Sequence, residues 1–233
     1  TIAGLPIAAR VFQRLDTSVV FIPTIQDGEL CEMGQTVATL SGPMDALLTG
    51  ERVALNLAMR LSGIATSTRQ YVDAIADLST QFVDTRKTTP GLRILEKYAT
   101  QAGGAINHRM GLDDAVMLKD NHIAAAGSIK AAIHQVRDRI PYPLTVEVET
   151  ETLEQAQEAA IEGADIIMLD NMSASNMTKA VQRIRQVSDR IKIEASGNIT
   201  LATIRTVAET AVDYISSSAP ITRSPWLDLS MKL

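Results

Sequence analysis

The sequence predicts an α/β protein built on a parallel, barrel-like sheet, and three observations carry that expectation. Residues 82–122 hold three short apolar runs, Phe82-Val83, Ala105-Ile106 and Val116-Met117-Leu118. Each is closed by polar or cationic side chains, Thr85-Arg86-Lys87, Asn107-His108-Arg109 and Lys119-Asp120-Asn121-His122. Helical segments separate the runs, and the alternation persists to the C-terminus, which favours βαβ units over an antiparallel sandwich. Strands whose C-terminal ends carry the charge are the way an α/β barrel presents its chemistry. A lone Thr-Arg-Lys or His-Arg after a strand is usually a solvated loop. Solvation gives no reason for three such ends in succession to concentrate positive charge in a chain that is net negative.

Composition narrows the classes. With 233 residues, 45% of them hydrophobic, the chain can bury a sizeable core, as one large domain or one domain with a small appendage. A formal net charge of −5 and a pI near 5.3 argue against a nucleic-acid or membrane surface, so a local cationic cluster points to a small anionic ligand. Cys31 is the only cysteine, which excludes an internal disulfide and a cysteine zinc cluster and fits a reducing, cytoplasmic compartment. No apolar run reaches the length of a membrane span and no signal peptide is visible. Thr1 is not an initiator Met, so the chain is expected to lack its true start.

Taken in order, residues 1–42 read as short strands and turns, with Val19-Val20-Phe21-Ile22 ended by Pro23 and glycines punctuating Thr36-Val37-Ala38-Thr39-Leu40. That is a small β-rich appendage. From 43 to 78 the period becomes helical, with Leu57, Leu61, Ile64 and Ala65 on one face, a break at Ser62-Gly63, and Val72, Ile75 and Ala76 continuing beyond it. Arg52 and Asn56 share a helix face, and spacing alone reads Arg52 as a solvated arginine. After the cationic stretch, residues 144–149 form a strand with Glu147 and Glu149 on the same face. A helix over 150–162 stops at Gly163, and 165–169 is a buried strand ending at Asp170-Asn171. A helix over 175–187 leads to the strand 191–195 and then Ser196-Gly197-Asn198. Thr200 is expected to cap the next helix, and 212–215 is a last strand opening into Ser216-Ser217-Ser218. Counting from Phe82 gives seven candidate strands, one short of a closed eight-stranded barrel.

Sorted by chemistry, the early strand ends offer cations (Arg86, Lys87, His108, Arg109, Lys119), the middle ones carboxylates (Glu147, Glu149, Asp170), and the last two small residues (Ser196, Gly197, Ser217, Ser218). Guanidinium and ammonium groups bind carboxylates through charge-assisted hydrogen bonds. Carboxylates at the ends of apolar strands suit Mg²⁺ or a developing cation, and Gly/Ser turns ahead of helices offer N–H groups to phosphate. Barrels commonly bind phosphate after their last two strands.

These residues carry a family resemblance. TRKTTPGLR (85–93), GGAINHRMGLDD (103–114), LKDNHI (118–123), VEVET (146–150), IIMLDNMS (166–173), EASGNIT (194–200), ERVALN (51–56) and RLSGIAT (60–66) closely resemble, in the same order, the quinolinate phosphoribosyltransferases, also called nicotinate-nucleotide pyrophosphorylases. The resemblance implies an α/β sandwich domain from 1–78 with the tail 224–233, and an open seven-stranded α/β barrel of TIM type over 79–223. It implies conversion of quinolinate and phosphoribosyl pyrophosphate to nicotinate mononucleotide, pyrophosphate and CO₂, with Mg²⁺. The partner implied is a second copy of the chain, in a homodimer whose sites are completed across the interface and which can assemble further, as in a hexamer.

Carried over residue by residue, the resemblance gives quinolinate to Arg52 (from the partner subunit), Thr85, Arg86, Lys87, His108, Arg109 and Lys119. Catalysis falls to Lys119, Glu149 and Asp170, the last two also holding the metal. The phosphoribosyl substrate falls to Lys87, Glu149, Asp170, Ser196, Gly197, Asn198, Ser217 and Ser218. There are departures. Ser218 stands where the family usually has glycine and is expected to crowd the phosphate turn; Arg223 stands where His is frequent, and Val53 where Thr or Ser is expected. The family's N-terminal helices are not in this sequence, through truncation or disorder. Three rival readings compete: a homologue acting on another aromatic acid, a barrel aldolase forming a Schiff base at Lys119, and a non-catalytic binding module. The pair Arg86 and Arg109 speaks for a dicarboxylate, and the intact pair Glu149 and Asp170 against the binding module.

Overall fold

The computed structural model describes residues 1–232. The chain runs α1 (Leu5–Leu15), β1 (Val20–Pro23), β2 (Ala38–Ser41), α2 (Met44–Asp73), β3 (Gln81–Val83), α3 (Arg93–Ala102), β4 (Val116–Leu118), α4 (Asp120–Ala126), α5 (Ile129–Arg137), β5 (Val146–Thr150), α6 (Leu153–Ile161), β6 (Ile166–Asp170), α7 (Ala174–Val187), β7 (Lys192–Ser196), α8 (Ile204–Ala208), β8 (Tyr214–Ser216) and α9 (Ala219–Thr222). It divides into two compact units. Of the described residues, the first takes 1–72, 87–107 and 218–232, and the second 73–86 and 108–217. No helix among the described residues is long and apolar enough to cross a membrane.

The second unit is an α/β sheet of six parallel strands in the order β3-β8-β7-β6-β5-β4. Six of the seven expected strands are present. Ala105-Ile106 is the exception: only Ile106 makes an isolated bridge, because a two-residue apolar run between Gly104 and Asn107 is too short to sustain a ladder. Register and the two-residue side-chain period assign the two sheet faces. Val146, Val148, Ile167, Leu169, Ile193, Ala195 and Ile215, all fully buried, share one face. Glu147, Glu149, Met168, Asp170, Glu194 and Ser196 share the other.

Strand starts and helix starts follow from local chemistry. Asp165 and Asp213, each just ahead of a strand, accept the N–H of the neighbouring strand's Val146 (2.7 Å) and Ile193 (2.8 Å) while paired with Arg137 and Arg185. Thr152 and Gln155 form a capping box on α6, and Ser173 caps α7. Thr200 does not cap α8 as expected. The next residues form a tight turn, and Thr203 holds the N-cap position without a side-chain bond.

In the first unit the expected β-rich start is corrected. Residues 5–15 are a helix with Leu5, Ala8 and Phe12 buried at helical spacing and Pro at its first turn; only the strands β1 and β2 remain, paired antiparallel. The stripe Leu5, Ala8 and Phe12 is weak in sequence because small Ala residues dilute it.

The expected break at Ser62-Gly63 is also corrected, since α2 is one 30-residue helix through both. Ser62 is buried, accepting from the Ala3 N–H (2.9 Å) and donating to the Ala3 carbonyl (3.0 Å). A Cβ on Gly63 would stand 2.0 Å from the Pro225 carbonyl oxygen. The pair marks where other backbone docks on the helix. Gly63→Ala, a gain of about 1 kcal/mol by helix propensity alone, is expected instead to lower the unfolding free energy by about 1–3 kcal/mol through overpacking, read by chemical denaturation.

Candidate active site

The polar face of the sheet places its groups in layers. At the lower layer, His108 Nε2 lies 3.3 Å from Glu147 Oε2 and 3.4 Å from Glu194 Oε2. The His108 N–H donates to Asp84 Oδ1 (2.8 Å), and its Nδ1 accepts the N–H of Arg109 (2.8 Å). Asp84, Glu147 and Glu194 are buried. Burial opposes charge on His108, but hydrogen bonds to Glu147 and Glu194 and their negative charges outweigh it, raising its pKa to about 10. Burial raises the Glu147 carboxyl too, against its bond to His108 and reinforced by the charge of Glu194. Such groups share protons as one unit. Nδ1 accepts the Arg109 N–H, so the proton held between Glu147 and Glu194 is the one on Nε2.

This answers a question of metal binding. His108, Glu147 and Glu194 bring ligand atoms within 4.8 Å of one another, yet a metal-bound imidazole donates through its other nitrogen. Here that nitrogen accepts, and Nε2 keeps its proton between the carboxylates.

The upper layer holds the expected catalytic groups. Lys119, directly after β4, forms an ion pair with Glu149 Oε2, so the strand-end cation and carboxylate meet across neighbouring strands. Asp170 ends β6, two residues further along the same face, and its Oδ2 accepts from Asn171 Nδ2 (2.8 Å). Arg109 donates to the Ala115 carbonyl (2.9 Å). Its guanidinium pKa is lowered by burial first and then by the charge of Arg86, which places those two cations in one field.

The phosphate candidates cluster at the ends of β6, β7 and β8. Asn171 N–H donates to the Ser196 carbonyl (3.0 Å), and Asn198 Nδ2 to Asn171 Oδ1 (3.0 Å), with both asparagines in the left-handed region. Gly197 has φ +95°, and a Cβ there would sit 2.2 Å from Asn171 Oδ1, so only glycine fits. Ser217 N–H reaches the Val83 carbonyl (3.3 Å), and its Oγ the Ile199 carbonyl (3.2 Å). Ser218, which replaces the family's glycine, has φ −86°, an ordinary right-handed conformation, so its side chain brings no backbone strain.

Within the second unit the structure therefore joins His108 with Arg109, and Lys119 with Glu149, and gathers Ser196, Gly197 and Asn198 beside Asp170-Asn171. Thr85 and Arg86 follow β3 and are half-buried. In the first unit Lys87 is exposed, and Arg52 stands on α2 with its side chain 71% exposed, 3.9 Å from Glu51. Two buried carboxylates beside His108, Glu194 and Asp84, are not among the expected site residues. Glu194 had a legible signal, a charged residue inside the apolar strand Ile191-Lys192-Ile193-Glu194-Ala195, two before Ser196 on the same face. Asp84 had only its place at the end of Phe82-Val83.

Comparison with known proteins gives the context. The family model described as quinolinate phosphoribosyl transferase, N-terminal domain, matches residues 1–62, and its C-terminal domain counterpart matches 64–232. A probable nicotinate-nucleotide pyrophosphorylase [carboxylating] of Synechocystis is 63% identical over 232 residues, covering 100% of this chain and 79% of that protein. The Bacillus subtilis relative of the same description is 47% identical, covering 98% and 78%. The crystal structure of NadC from Streptococcus pyogenes, 48% identical, superposes with a TM-score of 0.94 over 99% of this chain and 81% of that one. With both family domains matched in order over nearly every residue, and relatives this close over most of their own length, the chain belongs to the quinolinate phosphoribosyltransferase family.

Proposed function

We propose that the chain converts quinolinate and phosphoribosyl pyrophosphate to nicotinate mononucleotide, pyrophosphate and CO₂, in NAD biosynthesis. The observation that carries this reading is the sheet face on which Lys119, Glu149, Asp170 and Ser196 rise together at the strand ends, in a member of this family.

Arg86, Arg109 and Lys119, with Thr85 and Lys87, hold the two adjacent carboxylates of quinolinate, each charge-assisted bond contributing about 1.5–3 kcal/mol. His108 serves the same pocket through the Arg109 backbone that it anchors. The ring nitrogen attacks the anomeric carbon as the bond to pyrophosphate breaks, and the carboxylates of Glu149 and Asp170 stabilise the cationic ribosyl centre between them. The alkylated ring then loses the neighbouring carboxylate as CO₂. The electron pair left on that ring carbon is stabilised by the positive nitrogen and takes up one proton. Ser196, Gly197, Asn198, Ser217 and Ser218 hold the 5-phosphate. No protein nucleophile is needed.

The residues present fit Mg²⁺. Glu149 and Asp170 offer hard oxygen donors on neighbouring strands, both partly exposed, which leaves room for the waters and phosphate oxygens that the ion keeps. When bound, the ion neutralises charge on the leaving pyrophosphate. The same reading takes the six-stranded sheet with Ile106 as an open seven-stranded barrel, with the sandwich domain formed by 1–78 and 224–233 and the barrel by 79–223. It places the enzyme in the cytoplasm, which the single cysteine supports.

Steady-state turnover of quinolinate with phosphoribosyl pyrophosphate and Mg²⁺ tests the proposal: nicotinate mononucleotide and CO₂ are expected in equal amounts. Equal turnover of a monocarboxylate such as nicotinate, without CO₂, would overturn the dicarboxylate reading.

The enzyme acts as a homodimer in this reading, with Arg52 reaching the pocket of the partner subunit; its exposure on α2 leaves it available for that. Two inactive variants should then complement. In a mixed dimer of Arg52→Ala and Lys119→Ala, one site collects both defects and the other neither, so random exchange should restore roughly a quarter of the original activity. No recovery after verified exchange would take Arg52 out of the shared site.

A further inference from the structure

The first unit contains an ion pair, fully buried on its carboxylate side, that the proposed chemistry leaves unused. Glu96 on α3 is fully buried, and its carboxylate receives four hydrogen bonds. Arg60 on α2 donates to Oε1 from Nε (3.2 Å) and Nη2 (2.8 Å). Thr89 donates its hydroxyl to Oε1 (2.8 Å) and its N–H to Oε2 (2.8 Å). Arg60 has donors to spare, and they go elsewhere: Nη2 to the Ile221 carbonyl (2.7 Å) and Nη1 to Ser224 Oγ (3.1 Å).

As helix-to-helix packing this arrangement is uneconomical. Desolvating two charges costs several kcal/mol per ion, and apolar side chains of similar volume commonly stabilise as well or better. What the pair does that apolar residues cannot is reach backbone and hydroxyl groups in two separate segments. Thr89 lies two residues after Lys87, and Ile221 and Ser224 follow Ser218. Each segment thus leads directly to a residue assigned to substrate.

We infer that Arg60 and Glu96 are positioning residues of the transferase site, a clamp that sets the segment 87–89 and the segment 218–224 in fixed relation. The inference rests on the reading in which the segments carrying Lys87 and Ser218 reach substrate. Neither Arg60 nor Glu96 needs to touch a reacting atom. Their guanidinium–carboxylate fork fixes direction as well as distance, which a lysine in place of the arginine would not reproduce.

The test separates the two arms of the clamp by their Michaelis constants. Thr89→Val removes one charge-assisted bond while keeping shape, and should raise KM for quinolinate about tenfold. Thr89→Ser should restore it. Ser224→Ala should raise KM for phosphoribosyl pyrophosphate and leave that for quinolinate alone. Arg60→Lys should raise both.

A merely structural pair would give the opposite result: Arg60→Lys would lower the melting temperature and move neither KM, and Thr89→Val and Ser224→Ala would be silent. That outcome overturns the clamp. Lys87→Ala keeps the two claims apart. If it raises KM while the Thr89 and Ser224 variants are silent, the site assignment stands and the clamp fails. If it is silent while those variants act, the clamp stands and the role given to Lys87 fails.

Discussion

Asp170→Asn is expected to lower kcat by about 10²–10³-fold, the scale of losing one preorganised electrostatic group at a developing charge, while KM for quinolinate changes only a few-fold. The substitution keeps size and hydrogen-bonding atoms and removes the charge. Asp170 stands at the end of β6 on the polar face with Glu149, and its Oδ2 accepts from Asn171 Nδ2. In the proposed reaction its carboxylate acts on charge that appears as pyrophosphate leaves, so the loss is expected in turnover rather than in binding. Steady-state kinetics with both substrates varied reads the split. A large rise in KM for quinolinate with kcat intact would show that Asp170 belongs to the dicarboxylate pocket instead.

Lys119→Ala should reduce kcat/KM for quinolinate by about ten- to a few-hundred-fold, the equivalent of one charge-assisted bond of about 1.5–3 kcal/mol. The structure adds a second consequence. Lys119 is ion-paired to Glu149, so its removal leaves that carboxylate without its cation at the layer where the ribosyl centre is expected. Lys119→Arg should therefore recover part of the loss, because it keeps the charge beside Glu149 while changing its shape. Unaltered kinetics in Lys119→Ala would return the residue to the status of a solvated strand-end lysine.

Much of the site was legible because it is written in short-range pattern. The charges that close β3, β4, β5 and β6 sit directly after apolar runs, and period two puts Glu147 and Glu149 on one face whatever the strand order. Glycine chemistry was legible in the same way at Gly197, although the reason, the approach of Asn171, was not. Local pattern also misled. Ser62-Gly63 reads as a break because both residues weaken an isolated helix, and docking of Ala3 and Pro225 reverses that meaning. At Ser218 the φ of −86° shows an ordinary backbone, so the expected crowding of the phosphate turn is a matter for the side chain alone.

By itself the sequence determined the alternating α/β class, the chemistry at each strand end and the family, since all three are properties of contiguous residues. Tertiary structure alone decided which distant groups meet. Glu194 joins Glu147 at His108 only because β7 lies next to β6 and β6 next to β5 in the sheet, and an order of that kind leaves no trace in any window of sequence. The proton held at His108 Nε2 follows from that meeting, whereas the bond from the Arg109 N–H to Nδ1 is local. Burial raises the cost of an unpaired charge, and burial is set by the whole fold.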